Sequence, residues 1–235
     1  MTDTDLPPYV PADDEPLPQH LVSTGLMRLG ELAVHIAVRQ HALITYDGPV
    51  GTGKTTTARA AARAISAPTA ITLIPPKPNS LDLLRLTHLA LTGYPANGSR
   101  TTLTGEVLQG LRRWSGLFVA DEAQNLGQAG MSELMYLWER SGRSFAMLLV
   151  GHGVEETLTQ VPPLDDRVLI RTRFAPLRGK DMLDTARQLD PRLAKAGKAT
   201  LRTLDDGYCR GSLRAWSKVL KVVDALAGSP RRLEP

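Results

Sequence analysis

The chain has 235 residues, of which 42% are hydrophobic and 22% charged, which suits one globular domain or one domain with a small appendage. The single cysteine, Cys209, excludes an intramolecular disulfide and a cysteine-based zinc site, and it fits a reducing cytosol. The net charge is +4, and the whole positive excess lies in the last third: residues 167–235 hold 16 basic and 7 acidic side chains, residues 21–166 hold 12 of each, and residues 1–20 hold five acids and no lysine or arginine. Such a regional basic excess is typical of contact with a polyanion, and equally of a solvated helical face.

The first 19 residues contain many prolines and acids without apolar periodicity, which predicts a flexible tail. From His20 to about His41, spaced apolar residues predict an amphipathic helix. The chain shows no apolar core of a signal peptide and no apolar run long enough to span a bilayer. We therefore expect a soluble, cytoplasmic protein without a membrane partner.

The middle of the chain alternates between strand and helix patterns. Five strands are predicted, at 42–46, 69–74, 116–126, 145–153 and 168–177. Helices are predicted from Lys54 to about Ile65, at about 80–92 and 102–113, and at 127–142. This order predicts an α/β fold, with a five-stranded parallel sheet between helices.

Beyond Gly179 the pattern is helical throughout, at 179–188, about 190–206 and 211–227. This end of the chain predicts a small second domain of about three helices. The expected organisation is a tail over 1–19, a nucleotide-binding core over 20–177, a helical domain over 178–228 and a basic tail over 229–235.

The segment "GPVGTGKT" at 48–55 fits the pattern G-x-x-x-x-G-K-[ST], between a predicted strand and a predicted helix. Glycines let the backbone N–H groups approach phosphate oxygens, and the N-terminus of the following helix attracts the same anion. We expect Lys54 to reach the β- and γ-phosphates and Thr55 to bind Mg²⁺. The predicted nucleotide-binding residues are Gly48, Pro49, Val50, Gly51, Thr52, Gly53, Lys54, Thr55 and Thr56.

In "LFVADEAQ", two acids follow a buried strand directly. Carboxylates at the C-terminal end of a parallel strand face the ligand crevice, so Asp121 is expected to hold Mg²⁺ and Glu122 to activate the attacking water. An ordinary strand-to-helix boundary with an N-cap aspartate is the alternative. A glutamate that activates water beside the metal residue favours hydrolysis over small-molecule phosphorylation.

With "GSLRAW" at 211–216 added to these two segments, the chain resembles the AAA+ ATPases. The resemblance implies a P-loop AAA+ core with a small C-terminal helical lid, and ATP and Mg²⁺ as cofactors. It also implies that Arg214 contacts the nucleotide from the lid. His152 takes the place of the polar sensor residue after the fourth strand, where it would bond the attacking water or the γ-phosphate; the alternative is a solvent-facing loop histidine. Either Arg173 or Arg171 would be the arginine finger supplied to a neighbouring subunit. The alternative is that one of these arginines pairs with a surface acid such as Asp165 or Asp166.

Within that class, "DEAQNL", "LLVGHG" and "IRTRF" resemble the transposition ATPases of the TnsC, TniB and MuB kind. The resemblance implies a homo-oligomer, a ring or helical filament, that forms with ATP on double-stranded DNA and recruits or activates a transposase, here of the DDE type. The alternatives are an ATPase of a secretion system of the ExeA kind, a helicase-loader or replication-type ATPase, and a nucleotide switch that does not bind DNA. The candidate DNA contacts are Lys77, Arg100, Arg112, Arg113, Lys218 and Lys221, followed by Arg231 and Arg232.

Overall fold

A computed structural model describes Leu17 and residues 21–228 of the chain. Its five strands are β1 (Leu43–Asp47), β2 (Thr69–Leu73), β3 (Leu117–Asp121), β4 (Ala146–Gly151) and β5 (Val168–Arg173). They form one sheet in the order β2-β3-β4-β1-β5, and every neighbouring pair is parallel. The predicted α/β fold with a five-stranded parallel sheet flanked by helices is therefore confirmed.

The helices of the sheet region alternate with the strands. They are α1 (Gly25–Gln40), α2 (Lys54–Ala64), α3 (Ser80–Thr92), α4 (Arg100–Arg113), α5 (Gly127–Arg140), α6 (Val154–Leu158) and α7 (Pro162–Asp165). Asn79 starts α3 with a capping box, since its side chain accepts the N–H of Asp82 and the Asp82 carboxylate accepts the N–H of Asn79. The short helices α6 and α7 were not predicted, because four or five residues are too few to show a helical period.

Three strands end two to five residues earlier than predicted. The run 116–126 is a strand only to Asp121, because Glu122 adopts a left-handed conformation with φ 56° and starts a 3₁₀ turn over Ala123–Leu126. The predicted strands 145–153 and 168–177 end at Gly151 and Arg173, and both of these residues pair with Asp47. The ladder stops there because β1 leaves the sheet at Asp47 and turns into the glycine loop.

The core of the sheet region is mainly aliphatic, as the low aromatic content predicts. One cluster of its buried residues comes mainly from β3 and β4 and from the helices α3, α4 and α5, and further buried residues lie on α1, β1 and α2. Among the few aromatic side chains, Trp138 donates its ring N–H to the Phe145 carbonyl at 2.9 Å, and the Phe118 and Phe145 rings meet edge to face. This packing fixes β3 and β4, whose C-terminal ends carry the predicted site.

A second compact unit comprises the described residues 21–25, the loop residues 49–53 and the chain from Phe174 onward. Its helices are α8 (Gly179–Leu189), α9 (Pro191–Lys195), α10 (Lys198–Leu204) and α11 (Leu213–Gly228), with a π-helical turn at Asp205–Cys209. The single helix predicted over 190–206 is therefore wrong. Asp190 caps a new helix by accepting the N–H of Arg192 at 2.7 Å, and the chain is non-helical at Ala196 and Gly197.

Within the described part of the chain, no helix combines the length and the apolar character needed to cross a membrane. The predicted tails over 1–19 and 229–235, including Arg231 and Arg232, lie outside the described residues apart from Leu17. The proposed boundary between core and lid stays a prediction.

Candidate nucleotide-binding and hydrolysis site

The glycine loop after β1 has the backbone that its sequence predicts. Gly51 and Gly53 have φ values of 84° and 96°, a conformation that side chains disfavour. The Thr52 hydroxyl donates to the Pro49 carbonyl at 2.8 Å, which closes the loop on itself. Lys54, the first residue of α2, is 8% exposed and donates from Nζ to the Gly48 carbonyl at 2.6 Å. An ammonium group is thus held beside a run of backbone N–H groups at a helix N-terminus, an arrangement that binds anions.

The hydroxyl of Thr55 and the carboxylate of Asp121 meet at the end of the sheet. Thr55 Oγ1 donates to Asp121 Oδ1 at 3.2 Å, although 66 residues separate them in the chain. Asp121 is 7% exposed, and its burial raises the pKa of its carboxyl above the ordinary value, while the bonds from Thr55 and from the Glu122 N–H oppose that rise. The guanidinium of Arg59 also opposes the rise, and a divalent cation would supply further positive charge to this buried carboxylate.

The donor set fits Mg²⁺ that is shared with a phosphate. Among the described residues, no group of three or more His, Cys, Asp or Glu side chains could hold a metal by itself. Mg²⁺ is usually bound by one or two protein oxygens, with phosphate oxygens and waters completing the octahedron. Thr55 and Asp121 offer two such oxygens beside Lys54, so the site suits a metal that arrives with a nucleotide.

Glu122 lies directly after β3 in a left-handed backbone conformation, with φ 56° and ψ 38°. Its N–H donates to Asp121 Oδ1 at 3.0 Å, and its carboxylate Oε2 accepts a bond of 2.6 Å from Gln124 Nε2. Non-glycine residues in this conformation store strain and are concentrated at functional sites. The half-buried carboxylate of Glu122 thus lies next to the candidate metal residue Asp121, and its described hydrogen bond is to Gln124.

The segment after β4 is fixed by two side chains that the sequence did not single out. The N–H of His152 donates to Gln124 Oε1 at 3.2 Å, and the N–H groups of Gly153 and Val154 donate to Asp47 Oδ1 at 2.7 and 3.0 Å. His152 itself is exposed. Their position in the sequence could have identified both side chains, because Asp47 and Gln124 are polar residues at or just beyond the end of a buried strand.

Both candidate arginine fingers on β5 form ion pairs within their own chain. Arg171 donates to the carboxylate and to the carbonyl of Asp165, at 2.7 and 2.8 Å, as the alternative prediction allowed. Arg173 donates to Glu155 at 2.8 Å, and its side chain is 76% exposed against 37% for Arg171. The bond to Glu155 raises the pKa of Arg173 further, so this guanidinium is always charged.

Arg214 lies near the glycine loop within the second unit. Its backbone N–H points to the Gly51 carbonyl at 3.4 Å, while its side chain is exposed. A Cβ on Gly51 would lie 2.4 Å from Ser212 Oγ and 3.1 Å from Arg214 Cβ, so the loop tolerates only glycine against this segment. Part of "GSLRAW" thus contacts the loop that carries the predicted phosphate site.

The candidate DNA contacts do not form one cluster. Arg100 begins α4 and pairs with the buried Glu133 at 2.7 Å, whereas Arg112 and Arg113 end that helix, roughly 20 Å away. Arg112 donates to the Arg140 carbonyl at 3.2 Å. Three further candidates are also exposed, namely Lys77 after β2 and Lys218 and Lys221 on α11.

Several solved structures share this fold. Orc1 of Aeropyrum pernix in complex with DNA matches with a TM-score of 0.63 and 15% identity, over 91% of this chain and 62% of that one. DnaA of Aquifex aeolicus bound to AMPPCP matches with a TM-score of 0.60 and 15% identity, over 87% and 63%. The replication initiator DnaA bound to AMPPCP and single-stranded DNA matches with a TM-score of 0.58 and 15% identity, over 87% and 62%. The chain thus spans about three fifths of the length of these structures, and identities this low establish the fold alone.

Comparison with curated protein sequences gives no match. A family model described as an AAA domain matches residues 38–158, which include β1, the glycine loop, the two acids after β3 and all of β4. That is more than half of the chain, and it contains four of the five strands of the parallel sheet, β1 to β4, and the elements that carry Lys54, Thr55, Asp121 and Glu122. The chain therefore belongs to the AAA domain family.

Proposed function

We propose that this protein is an AAA+ ATPase that binds ATP with Mg²⁺, assembles with copies of itself on double-stranded DNA and regulates transposition. The observation that carries the ATPase part is the 3.2 Å contact between Thr55 and Asp121. It joins Thr55, which follows Lys54 at the start of α2, to Asp121, the last residue of β3, so that a hydroxyl lies at the end of the strand that carries the two acids. In this proposal residues 20–177 form the nucleotide-binding core and residues 178–228 the lid.

The roles follow from the chemistry of each group. Lys54 exchanges its bond to the Gly48 carbonyl for the β- and γ-phosphates, and the loop N–H groups bind the remaining phosphate oxygens. Thr55 and Asp121 would hold Mg²⁺, and the bound ion would supply positive charge to the phosphates. Glu122 accepts the proton of the attacking water, and Arg214 adds a nucleotide contact.

Arg173 is the better candidate for the arginine finger that completes a neighbour's site. Arg171 is held by two oxygens of Asp165, whereas Arg173 is mostly exposed and bonded to Glu155 alone among the ion pairs described. Exposed ion pairs contribute little stability, so the Glu155 contact can be exchanged for a phosphate. A planar guanidinium suits the charge spread over the transferring phosphoryl group. ATP then bridges two subunits, and its hydrolysis loosens the assembly.

The DNA-binding part of the proposal rests on charge and on the resemblance. Residues 167–235 carry nine more basic than acidic side chains, 16 against 7. An oligomer would multiply each subunit's weak contacts with phosphates, and binding of this kind weakens steeply as salt rises. A DDE-type transposase is the partner that the resemblance implies, and a gene for one beside this gene would support it.

A replication-type ATPase is the second candidate. It is favoured by the structural similarity to the replication initiator DnaA. The two functions differ in what the assembled protein activates. If the protein stimulates strand transfer by a purified DDE-type transposase, transposition is supported, whereas opening or loading at a replication origin would favour replication.

One experiment tests assembly and hydrolysis together. The full chain is mixed with long duplex DNA and ATP or a slowly hydrolysed analogue, and electron microscopy is used to look for rings or filaments. Lys54→Ala should abolish them, because ATP no longer bridges subunits, whereas Glu122→Gln should preserve or lengthen them, because only hydrolysis is blocked. Wild-type turnover per subunit should rise with protein concentration, by about 10³–10⁵-fold if the finger acts in trans.

Arg171→Ala is the matched control for Arg173→Ala, because both arginines lie exposed on β5 and both are paired in their own chain. Arg173→Ala should remove the rise of turnover with concentration, and Arg171→Ala should keep it. A protein that stays monomeric with ATP and DNA, with constant turnover per subunit at all concentrations, would contradict the proposal.

A further inference from the structure

The Gln124 side chain connects the candidate base to the segment after β4. Its Nε2 donates to Glu122 Oε2 at 2.6 Å, and its Oε1 accepts the His152 N–H at 3.2 Å. The orientation of the amide is fixed by chemistry, because a carboxylate can only accept and a backbone N–H can only donate. A reversed amide would face both partners with the wrong group.

The far end of this connection is itself held in place. Asp47 accepts the next two N–H groups, those of Gly153 and Val154, so the backbone over 152–154 is bonded at three successive residues. β4 supplies this anchor from the middle of the sheet, where it pairs with β3 on one side and β1 on the other. Gln124 therefore links the Glu122 carboxylate to a backbone segment, residues 152–154, whose position is fixed by hydrogen bonds.

Room for the tether exists because residue 151 is a glycine. A Cβ at the buried Gly151 would lie 1.9 Å from Gln124 Oε1 and 2.8 Å from Val154 Cγ2. Any larger side chain would push the amide away from the His152 N–H. Because Gly151 has no side chain, it leaves the space that the Gln124 amide occupies.

We propose that Gln124 is a positioning residue that sets the direction of the Glu122 carboxylate and ties it to the backbone after β4. This inference rests on the proposed function, in which Glu122 takes a proton from the attacking water. A general base acts only within hydrogen-bonding reach of that proton, and displacement by about 1 Å can cost on the order of 100-fold in rate. The hydrogen bonds described for the Gln124 side chain go to Glu122 and His152, and not to Lys54, Thr55 or Asp121, so we expect its effect on hydrolysis and not on nucleotide binding.

The test compares Gln124→Met with Gln128→Met in the full chain, at saturating duplex DNA. Methionine keeps the length of the side chain but neither donates strongly nor accepts strongly, and Gln128 is an exposed glutamine four residues away. Gln124→Met should lower kcat for ATP by about 10–100-fold, with KM and the Kd of a slowly hydrolysed analogue changed less than about twofold. Gln128→Met should behave as wild type.

Two more variants keep the test informative if Gln124→Met folds poorly. Gln124→Glu keeps the shape of the side chain but loses the donor to Glu122, and it should lower kcat in the same way. Gly151→Ala leaves Gln124 in the sequence but displaces its amide, and it should also lower kcat while nucleotide affinity is kept. In a Glu122→Gln background, Gln124→Met should cause no further loss, because the base it positions is already gone.

The outcomes separate this inference from the proposed function. If Glu122→Gln is inactive but Gln124→Met and Gly151→Ala hydrolyse ATP at the wild-type rate, the inference is wrong and the proposed function stands. If Gln124→Met weakens nucleotide binding as much as it lowers kcat, the side chain has a merely structural role and the inference is also wrong. If Glu122→Gln hydrolyses ATP normally, both are overturned.

Discussion

Replacing Asp205 with alanine should destabilise the second compact unit more than any other change of a single carboxylate there. Asp205 is buried in the π-helical turn before α11, and its Oδ1 accepts the Gly211 N–H at 2.8 Å and the Trp216 ring N–H at 3.2 Å. Trp216 is 1% exposed and belongs to the apolar core of this unit. One carboxylate oxygen thus ties the turn that leads to Arg214 to the centre of that core.

The magnitude follows from the two donors that the substitution would leave behind. A buried donor without an acceptor costs about 1–3 kcal/mol, so the loss of both bonds should lower the free energy of unfolding by about 2–6 kcal/mol. Asp205→Asn keeps the acceptor oxygen but loses its charge, and it should cost about 1–2 kcal/mol, since bonds to charged groups are roughly twice as strong as neutral ones.

The assay is urea denaturation followed by circular dichroism, with Asp206→Ala as the matched control. Asp206 is the next residue in the same turn and is exposed, so its removal should change stability by less than about 0.5 kcal/mol. The expected order of stability is wild type and Asp206→Ala first, then Asp205→Asn, then Asp205→Ala. Equal denaturation midpoints for Asp205→Ala and Asp206→Ala would refute the assignment of Asp205 as a buried acceptor.

Two further predictions concern burial. Burial raises the pKa of the Cys209 thiol from 9.0 to about 11, with Asp205 adding to the rise, so the native thiol should resist alkylation at pH 8. Because the folded state holds this proton more tightly, the free energy of unfolding of the wild type should fall by roughly 2 kcal/mol relative to that of Cys209→Ala as the pH rises from 9 to 11. The same pH dependence of stability in both proteins would contradict the prediction. Gly30→Ala should lower the melting temperature, although alanine has a higher helix propensity than glycine. The new Cβ would lie too close to its neighbours, 2.7 Å from Thr57 Cγ2 and 3.0 Å from Tyr46 Oη. The control is Gly105→Ala on α4, where the new Cβ has no neighbour within 4 Å and should stabilise by about 0.5–1 kcal/mol, so equal shifts for the two would refute the packing argument.

Much of this protein could be predicted from short stretches of sequence. The alternation of apolar runs with helical periods is local, and it specified all five strands and a parallel sheet. The glycine loop with Lys54 and Thr55 could also be identified, because its backbone depends on residues that are neighbours in the chain. Strand ends were less predictable, since the ladders at Gly151 and Arg173 stop where their partner strand stops and not where their own sequence changes.

The sequence by itself thus determined the fold class and the residue types of the candidate site. Only the tertiary structure decided that Thr55 meets Asp121, that Gln124 and Asp47 hold the backbone after β4, and that Glu155 holds Arg173. These contacts depend on the strand order, which places β4 between β3 and β1 and leaves β5 at the edge. The reason is physical: hydrogen bonds and ion pairs act over a few ångströms of space, and residues far apart in the chain become neighbours only once the sheet has formed.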